Sequence, residues 1–264
     1  MSNAISEAVI LMAGSGSRLR SAGENCLKPL LPLLGRPLIS YTLDALAKAG
    51  IKTIYAVVGF EGHALRAHTN LLVPSNINIC WVENPAWQKQ NGISVLAAAP
   101  HVTAPFLLTM GDHLFDRSVV DLLLREAKPD QLNLAIDKKL DAIFDLDDAM
   151  KVRMQGDRLI AIGKDLRDYN AIDTGFFVCP RKFADYLERA KSRSRGSDCS
   201  LADGVRLMAA DGLVRGIDIG AAWWQDIDTP GMLACAERHL QTRTARQATK
   251  SITASAQPGD KSEQ

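Results

Sequence analysis

Residues 8–12 form an unbroken apolar run that stops at Ala13-Gly14, where serine, glycine and arginine take over. A run without polar alternation predicts a strand buried on both faces, here delivering the chain into a glycine-rich loop. Pro37 opens a predicted helix with Leu38, Leu43 and Leu46 on one face and Gly50 just past its end. Proline first and glycine last is the asymmetry helices favour. Strands at 53–58, 77–82 and 105–110 then alternate with helices at 63–72 and 93–99. Such alternation predicts a parallel sheet covered by helices on both faces.

After Asp112 a helix (118–127) and a strand (132–137) keep the rhythm, and then it breaks. Residues 141–148 are acidic and irregular, while 151–154 and 158–162 flank Gln155-Gly156-Asp157, the mark of a hairpin turn. Strands at 175–179, 214–219 and 223–226, helices at 180–190 and 200–210 and a helix from Pro230 complete the pattern, so the second half is predicted to mix strand directions. The polar, basic stretch 192–198 reads as a loop. Beyond about Thr242 apolar periodicity is lost, so residues 1–241 are expected to form one domain and 242–264 a disordered tail.

Composition narrows the class. With 264 residues, 47% of them hydrophobic, the chain can bury one large α/β core. A net charge of +1 argues against broad attraction to nucleic acid or anionic membranes, so any anion must be captured locally. Five scattered cysteines without a C-x-x-C pair suggest neither a disulfide framework nor a thiolate zinc site, and fit a reducing compartment. No segment approaches the roughly 20 apolar residues that span a bilayer, and no basic-led signal segment precedes residues 8–13. A cytoplasmic protein without membrane insertion and without a nucleic-acid partner is the expectation.

The loop Ala13-Gly14-Ser15-Gly16-Ser17-Arg18-Leu19 is the main candidate for chemistry. A Walker loop would need Gly-Lys-Ser/Thr at the helix start, which is absent, and a dinucleotide fingerprint would need a third glycine where Leu19 stands. What remains is a loop whose backbone N–H groups can wrap a polyphosphate, flanked by two fixed cations, Arg18 and Lys28. Asp112 ends a predicted strand, where ligands of parallel sheets bind. Asp226 and Asp228 end another; alternate strand residues share a face, so both are candidates to join Asp112 on a metal.

Leu11-Met12-Ala13-Gly14-x-Gly16-x-Arg18-Leu19, followed by Lys28-Pro29-Leu30-x-Pro32-x-x-Gly35-x-Pro37-Leu38-Ile39, resembles the signature of the sugar-nucleotidyltransferase superfamily. Met12 departs from it, standing where alanine is usual. The resemblance implies an α/β, Rossmann-like fold with a mostly parallel central sheet flanked by helices and a mixed-strand acceptor-binding region, the nucleotide half at about 1–115 and the acceptor half at about 116–241. It implies that Ala13, Gly14, Ser15 and Gly16 bind the nucleotide, that Arg18 holds its β- and γ-phosphates and Lys28 steadies them, and that Asp112 with Asp226 or Asp228 holds Mg2+ at the α-phosphate.

Physical chemistry requires such parts when an anionic phosphate monoester attacks a triphosphate. Unit charges about 4 Å apart repel by roughly 1 kcal/mol in water and about 4 kcal/mol at an effective dielectric of 20. Several cations must therefore converge. The monoester's second pKa is about 6, so the nucleophile is already ionised near neutral pH and needs no general base. None of the five histidines is required as one, and His113 beside Asp112 is the one placed to matter.

Glu83-Asn84-Pro85-x-Trp87 with Asn91-Gly92-x-Ser94-Val95-Leu96 resembles the asparagine-rich segment of cytidylyltransferases acting on phosphocholine and inositol phosphate, with Asn91 and Gly92 facing the base. Residues 108–113, Lys151-Val152, Gly156-Asp157-Arg158, 162–166 and 172–178 together resemble the CTP:inositol-1-phosphate cytidylyltransferase family over roughly 8–240. That resemblance implies CTP and a small alcohol phosphate as substrates, Lys164 on the acceptor phosphate, and Asp173, Thr174 and Gly175 lining the polyol pocket. Members are often fused to a membrane module, so a separate downstream CDP-alcohol transferase is an expected partner, and a homo-oligomer is open. The rival readings are a sugar-1-phosphate transferase using UTP or GTP, a phosphocholine transferase, a nucleotide sensor without turnover and, more distantly, a dehydrogenase. Cys26, near Lys28, is a candidate for a thiol of lowered pKa.

Overall fold

The computed structural model describes residues 5–21 and 27–255. In chain order the strands are β1 (Glu7–Met12), β2 (Pro32–Leu33), β3 (Arg36–Pro37), β4 (Thr53–Val58), β5 (Asn78–Glu83), β6 (Phe106–Met110), β7 (His113–Phe115), β8 (Leu132–Asp137), β9 (Lys151–Gln155), β10 (Arg158–Gly163), β11 (Ala171–Cys179), β12 (Val214–Asp218) and β13 (Trp224–Asp226). The helices are α1 (Ser17–Ser21), α2 (Leu38–Lys48), α3 (Gly62–Asn70), α4 (Asn91–Ala98), α5 (Arg117–Glu126), α6 (Phe183–Arg193), α7 (Leu201–Ala210) and α8 (Pro230–Ser255).

Nine strands form one sheet in the order β5-β4-β1-β6-β11-β8-β12-β10-β9. The first four run parallel, as the strand-helix alternation predicts. From β6 onward the sheet is mixed: β11 runs antiparallel to β6, β8 and β9, whereas β12 is parallel to β8. β9 and β10 form the hairpin expected around Gly156. The α/β, Rossmann-like expectation with a mixed second half is therefore met.

Alternation along β1 explains how both faces are filled. Ala8, Ile10 and Met12 join a core with Leu43 and Leu46 of α2, Leu65 of α3 and Val120 of α5. Val9 and Leu11 point the other way, into a core with Val95 of α4, Leu187 of α6 and Val205 of α7. Period-2 side chains on a doubly covered strand give this two-sided burial. The chain leaves β1 between neighbours that diverge, β4 on one side and β6 on the other, which opens a crevice at the carboxyl ends of the strands.

Two expectations are corrected. β13 stops at Asp226, so Asp228 lies beyond it and shares no strand face with Asp226; Asp228-Thr229 instead leads into α8. Residues 242–255, expected as part of a disordered tail, continue α8, because alanine, arginine, glutamine and lysine favour helix even without an apolar stripe. Among the described residues no helix is long and apolar enough to cross a membrane.

Candidate active site

The crevice holds a cavity of about 610 Å3, lined by Ala13, Gly14 and Arg18 together with Lys164, Asp173 and Gly175. A smaller adjoining recess of about 280 Å3 is walled by Gly14, Ser15, Gly16, Arg18, Lys28, Asp112 and Asp228. The glycine loop therefore faces a phosphate-sized space. Gly16 is left-handed (φ 63°), and a Cβ there would sit 3.0 Å from the Cβ of Lys28, so glycine lets the lysine side chain pass close by.

Lys28 begins a short 3-10 turn, Lys28–Leu30, and its ammonium contacts carboxylate oxygens of both Asp112 and Asp228. Asp112 follows β6, and Asp228 arrives from the loop after β13. A two-stranded ribbon, β7 with β13, pairs His113 with Asp226 and carries the two acids to one point; Ile227 N–H donates to the Asp112 carbonyl at 3.0 Å.

The contacts continue in an unbroken line of alternating charge. Lys164 Nζ binds Asp148 Oδ1 at 2.5 Å, and Asp148 Oδ2 takes Arg18 at 2.7 Å. Arg18 also reaches Asp228 Oδ2 at 2.5 Å, while Asp228 Oδ1 meets Lys28. Lys28 then contacts Asp112 Oδ2, and His113 Nδ1 lies 2.7 Å from Asp112 Oδ1. Each bridging carboxylate gives one oxygen to each neighbour.

Protonation states follow from this line. Burial opposes ionisation of Asp112, but the Lys28 charge and the His113 hydrogen bond outweigh it and hold the carboxyl well below the ordinary range. Burial also works against the His113 cation, yet its hydrogen bond to Asp112 and the Asp112 and Asp226 charges raise its pKa. Lys28 is likewise raised: desolvation disfavours its charge, and Asp112 and Asp228 more than restore it. Asp226 is raised by burial and by the neighbouring charges of Asp228 and Asp112. Its carboxylate accepts from Gln225 Nε2 at 3.0 Å and is not on Lys28. Among the described residues no group of three or more His, Cys, Asp or Glu side chains is arranged to hold a metal. Mg2+ needs no such cage, since it keeps several waters and uses one or two carboxylates plus substrate phosphates; Asp112 and Asp228, already converging on one cation, fit that donor set.

The acceptor-side residues divide. Asp173 of β11 lines the cavity, and burial pushes its carboxyl up to about 6 despite the Gly175 N–H that it accepts at 2.7 Å. Gly175 is left-handed (φ 77°), and a Cβ there would fall 2.5 Å from His113 Nε2, so glycine makes room for the imidazole. Thr174 does not line the cavity; its buried hydroxyl donates to the Ala135 carbonyl at 2.8 Å. At the other wall, Asn91 lines the cavity and its Oδ1 accepts from Leu201 N–H at 2.8 Å, whereas Gly92 is buried against Cys199 and Ser200 and is absent from the lining. Cys26 lies outside the described residues.

Several lining residues escape sequence reasoning. Asp148 sits in the irregular acidic stretch, where no periodicity marks it. Asp137, Trp224 and Lys139 form a polar knot around the buried Asp137: Trp224 Nε1 donates to Asp137 Oδ2 at 3.0 Å, and Lys139 Nζ contacts Asp137 Oδ1 at 2.8 Å. A charged final residue on β8, a strand buried along its whole length, was the available signal for Asp137.

Comparison with known proteins bears on this geometry. Residues 8–196 match the MobA-like NTP transferase domain. The bifunctional IPC transferase and DIPP synthase of Rubrobacter xylanophilus is 34% identical over 232 residues, covering 87% of this chain and 51% of that protein. The chain spans about half the length of the curated relatives it matches. The inositol-1-phosphate CTP transferase from T. maritima superposes with a TM-score of 0.77 at 31% identity, covering 88% of this chain and 92% of that one. A UDP-glucose pyrophosphorylase from Acinetobacter baumannii, at 17% identity and TM-score 0.69 over 96% of this chain and all of that one, shares the fold.

Proposed function

Because the chain belongs to the MobA-like NTP transferase family, we propose that it is a cytidylyltransferase that moves CMP from CTP to a small alcohol phosphate, inositol 1-phosphate first among the acceptors, and releases pyrophosphate. Residues 1–241 act as one nucleotidyltransferase domain in this reading. The observation that carries it is the line of alternating charge along the crevice, in which Arg18, Lys28 and Lys164 are held by carboxylates beside the glycine loop. Cations so placed can exchange carboxylate oxygens for phosphate oxygens.

The loop amides of Ala13 to Gly16 wrap the triphosphate, with Arg18 and Lys28 on its oxygens. Asp112 and Asp228 are the residues that would hold Mg2+, which when bound supplies Lewis-acid stabilisation at the phosphate oxygens. Asp226, charge-coupled to both but engaged by Gln225, supports them from one shell out. Lys164 holds the acceptor phosphate, and the ionised Asp173 accepts hydrogen bonds from vicinal hydroxyls. Charge neutralisation and alignment carry the rate in this scheme, because the attacking monoester is already ionised.

Asn91 supports cytosine over uracil. A helix-terminal N–H, that of Leu201, demands an acceptor, so the amide must present Oδ1 to it and leave Nδ2 as the free donor on the cavity side. A donor there suits N3 of cytosine and opposes the N3–H of uracil, and a base that leaves a polar group unpaired is selected against. The T. maritima protein of similar fold, a CTP transferase for inositol 1-phosphate, is consistent with this choice.

The test is pyrophosphate release with CTP, UTP, GTP and ATP against inositol 1-phosphate, phosphocholine, phosphoethanolamine and glucose 1-phosphate. Turnover restricted to CTP with inositol 1-phosphate is expected. Preference for UTP or GTP with glucose 1-phosphate would replace the reading by sugar activation, and nucleotide binding without turnover on any acceptor would leave a sensor.

A further inference from the structure

Asp148 occupies a position that the proposed reaction does not use. It lies in the segment 138–150, which contributes Ile143, Phe144 and Met150 to the cavity lining. Phe144 rests near Gly231 at the start of α8, 3.3 Å from where a Cβ would stand. The base of the segment is braced by Lys151, whose Nζ donates to the carbonyls of Asp147 and Lys164 at 3.0 and 2.9 Å. Asp148 itself sits in a tight turn capped by Asp145, its N–H donating to Asp145 Oδ1 at 3.3 Å. From there its two oxygens take two different cations, Arg18 on the nucleotide side and Lys164 on the acceptor side.

We propose that Asp148 is a resident counter-ion that couples the two substrate sites: it stands in for phosphate on Arg18 and Lys164 together, and the first phosphate ligand to displace it readies the other cation for the second. The inference rests on the roles assigned above to Arg18 and Lys164. Exposure separates this carboxylate from the rest of the line. The Arg18, Lys164 and Asp148 side chains are 54%, 49% and 37% exposed, whereas Lys28 and Asp228 are 11% and 17% exposed. Partly exposed ion pairs contribute little, so both Asp148 contacts are exchangeable and the carboxylate is readily rehydrated when released. The buried Lys28 pairs are not exchangeable so cheaply, because each partner left alone would be an uncompensated charge.

Coupling follows from sharing. While Asp148 bridges, either substrate binds against a competing intramolecular anion, and its apparent affinity falls by the fraction of molecules in the bridged state. Once one phosphate has moved the segment aside, the second binds without that competition, so each substrate tightens the other by the same factor. The ion pairs also hold the Asp148 carboxyl ionised, chiefly through the Lys164 hydrogen bond, so the bridge persists at neutral pH.

The experiment titrates the whole protein with pyrophosphate and with inositol 1-phosphate, each alone and each in the presence of saturating amounts of the other, a pair that cannot react. It compares wild type with Asp148→Asn and Asp148→Glu. Losing the bridge should tighten binding of each ligand alone by about 3- to 30-fold, the range for one or two partly exposed pairs. The mutual enhancement seen in wild type should shrink by the same factor in Asp148→Asn and return in Asp148→Glu. A general field effect would tighten binding and leave the enhancement between ligands unchanged, which overturns the coupling role. Weaker binding of both ligands in a folded Asp148→Asn protein, checked by its melting temperature, overturns it as well. A wrong acceptor shows itself differently: inositol 1-phosphate then fails to bind to wild type and variant alike. In that event pyrophosphate affinity still reports on the bridge, and an Asp148→Asn protein that binds pyrophosphate no tighter than wild type refutes it.

Discussion

At the residue scale, the most constrained group is Lys28. Its ammonium is nearly enclosed and satisfies two carboxylates that would otherwise face each other. Lys28→Met should cut turnover at least about 100-fold, the loss typical of one charge-stabilising donor. It should also bind Mg2+ no more weakly than wild type, because the variant removes a competitor for Asp112 and Asp228. Pyrophosphate release and a Mg2+ titration check the two halves separately, and near-normal turnover would remove Lys28 from the proposed chemistry. Asp173 gives a pH prediction. Its carboxyl, raised to about 6 by burial, is neutral below that value and loses the capacity to accept from two hydroxyls. The acceptor KM should therefore rise as pH falls through about 6. An alcohol phosphate also titrates near pH 6, so the measurement is the difference between wild type and Asp173→Asn: the variant should keep only the substrate's own, shallower dependence. The linked stability effect has the opposite sense. A raised folded pKa adds stability below the unfolded value of 3.8 that is lost as pH climbs through about 6, so ligand-free Asp173→Asn should be the more resistant protein at neutral pH. Much of this site was legible residue by residue, because glycines, Arg18, Lys28 and Asp112 carry a dense local pattern. Gly92 and Thr174 show where locality fails: adjacent to Asn91 and Asp173, they point into packing that only the distant partners Cys199 and Ala135 define.

At the element scale, strands 53–58 and 132–137 match their observed bounds because their apolar runs end in polar residues or turns. The ribbon of β7 and β13 was illegible: each strand is three residues long, and their pairing joins segments more than 100 positions apart. Its consequence is large, since this ribbon sets His113 against Asp226 and, through the Ile227 N–H on the Asp112 carbonyl, brings Asp228 within reach of Asp112. The face argument for Asp226 and Asp228 failed for the same reason, as β13 ends before Asp228. α7 offers an element-level test. Ser200 and Asp203 form a reciprocal capping box at its start, with Ser200 Oγ accepting from Asp203 N–H and Asp203 Oδ2 from Ser200 N–H at 2.8 Å. Loss of the cap in Ser200→Ala should cost about 1 kcal/mol, visible as a lowered urea midpoint at unchanged slope. Because Leu201 N–H orients Asn91, the same variant should lose part of its discrimination between CTP and UTP. A variant less stable but equally selective would detach base choice from the start of α7.

At the scale of the whole molecule, the nucleotide half and the acceptor half are joined through β11, which pairs with β6 on one edge and with β8 and β9 on the other. Parting β6 from β11 would expose Leu107, Leu108, Phe177 and Val178, each at most 1% exposed. Full exposure costs roughly 1.5–3 kcal/mol for each such side chain, so the sum is comparable to the whole stability of a typical domain, about 5–15 kcal/mol. The two halves should therefore unfold as one unit although their strand patterns differ. Three of the four tryptophans allow this to be read by region: Trp81 and Trp87 report the first half and Trp224, packed with Ala135, Phe176 and Ile217, the second, whereas Trp223 packs against Leu19, Leu31 and Leu38 of the first half. Replacing Trp224, or the other three tryptophans, by phenylalanine and following urea unfolding by fluorescence, with circular dichroism on the same samples, should give coincident midpoints in each variant, the signature of a two-state transition. An early transition seen by Trp224 alone would split the molecule into two domains at β11. The alternating charges of the site would then be drawn from units able to move apart, and closure of the crevice, rather than a preformed cradle, would have to assemble it.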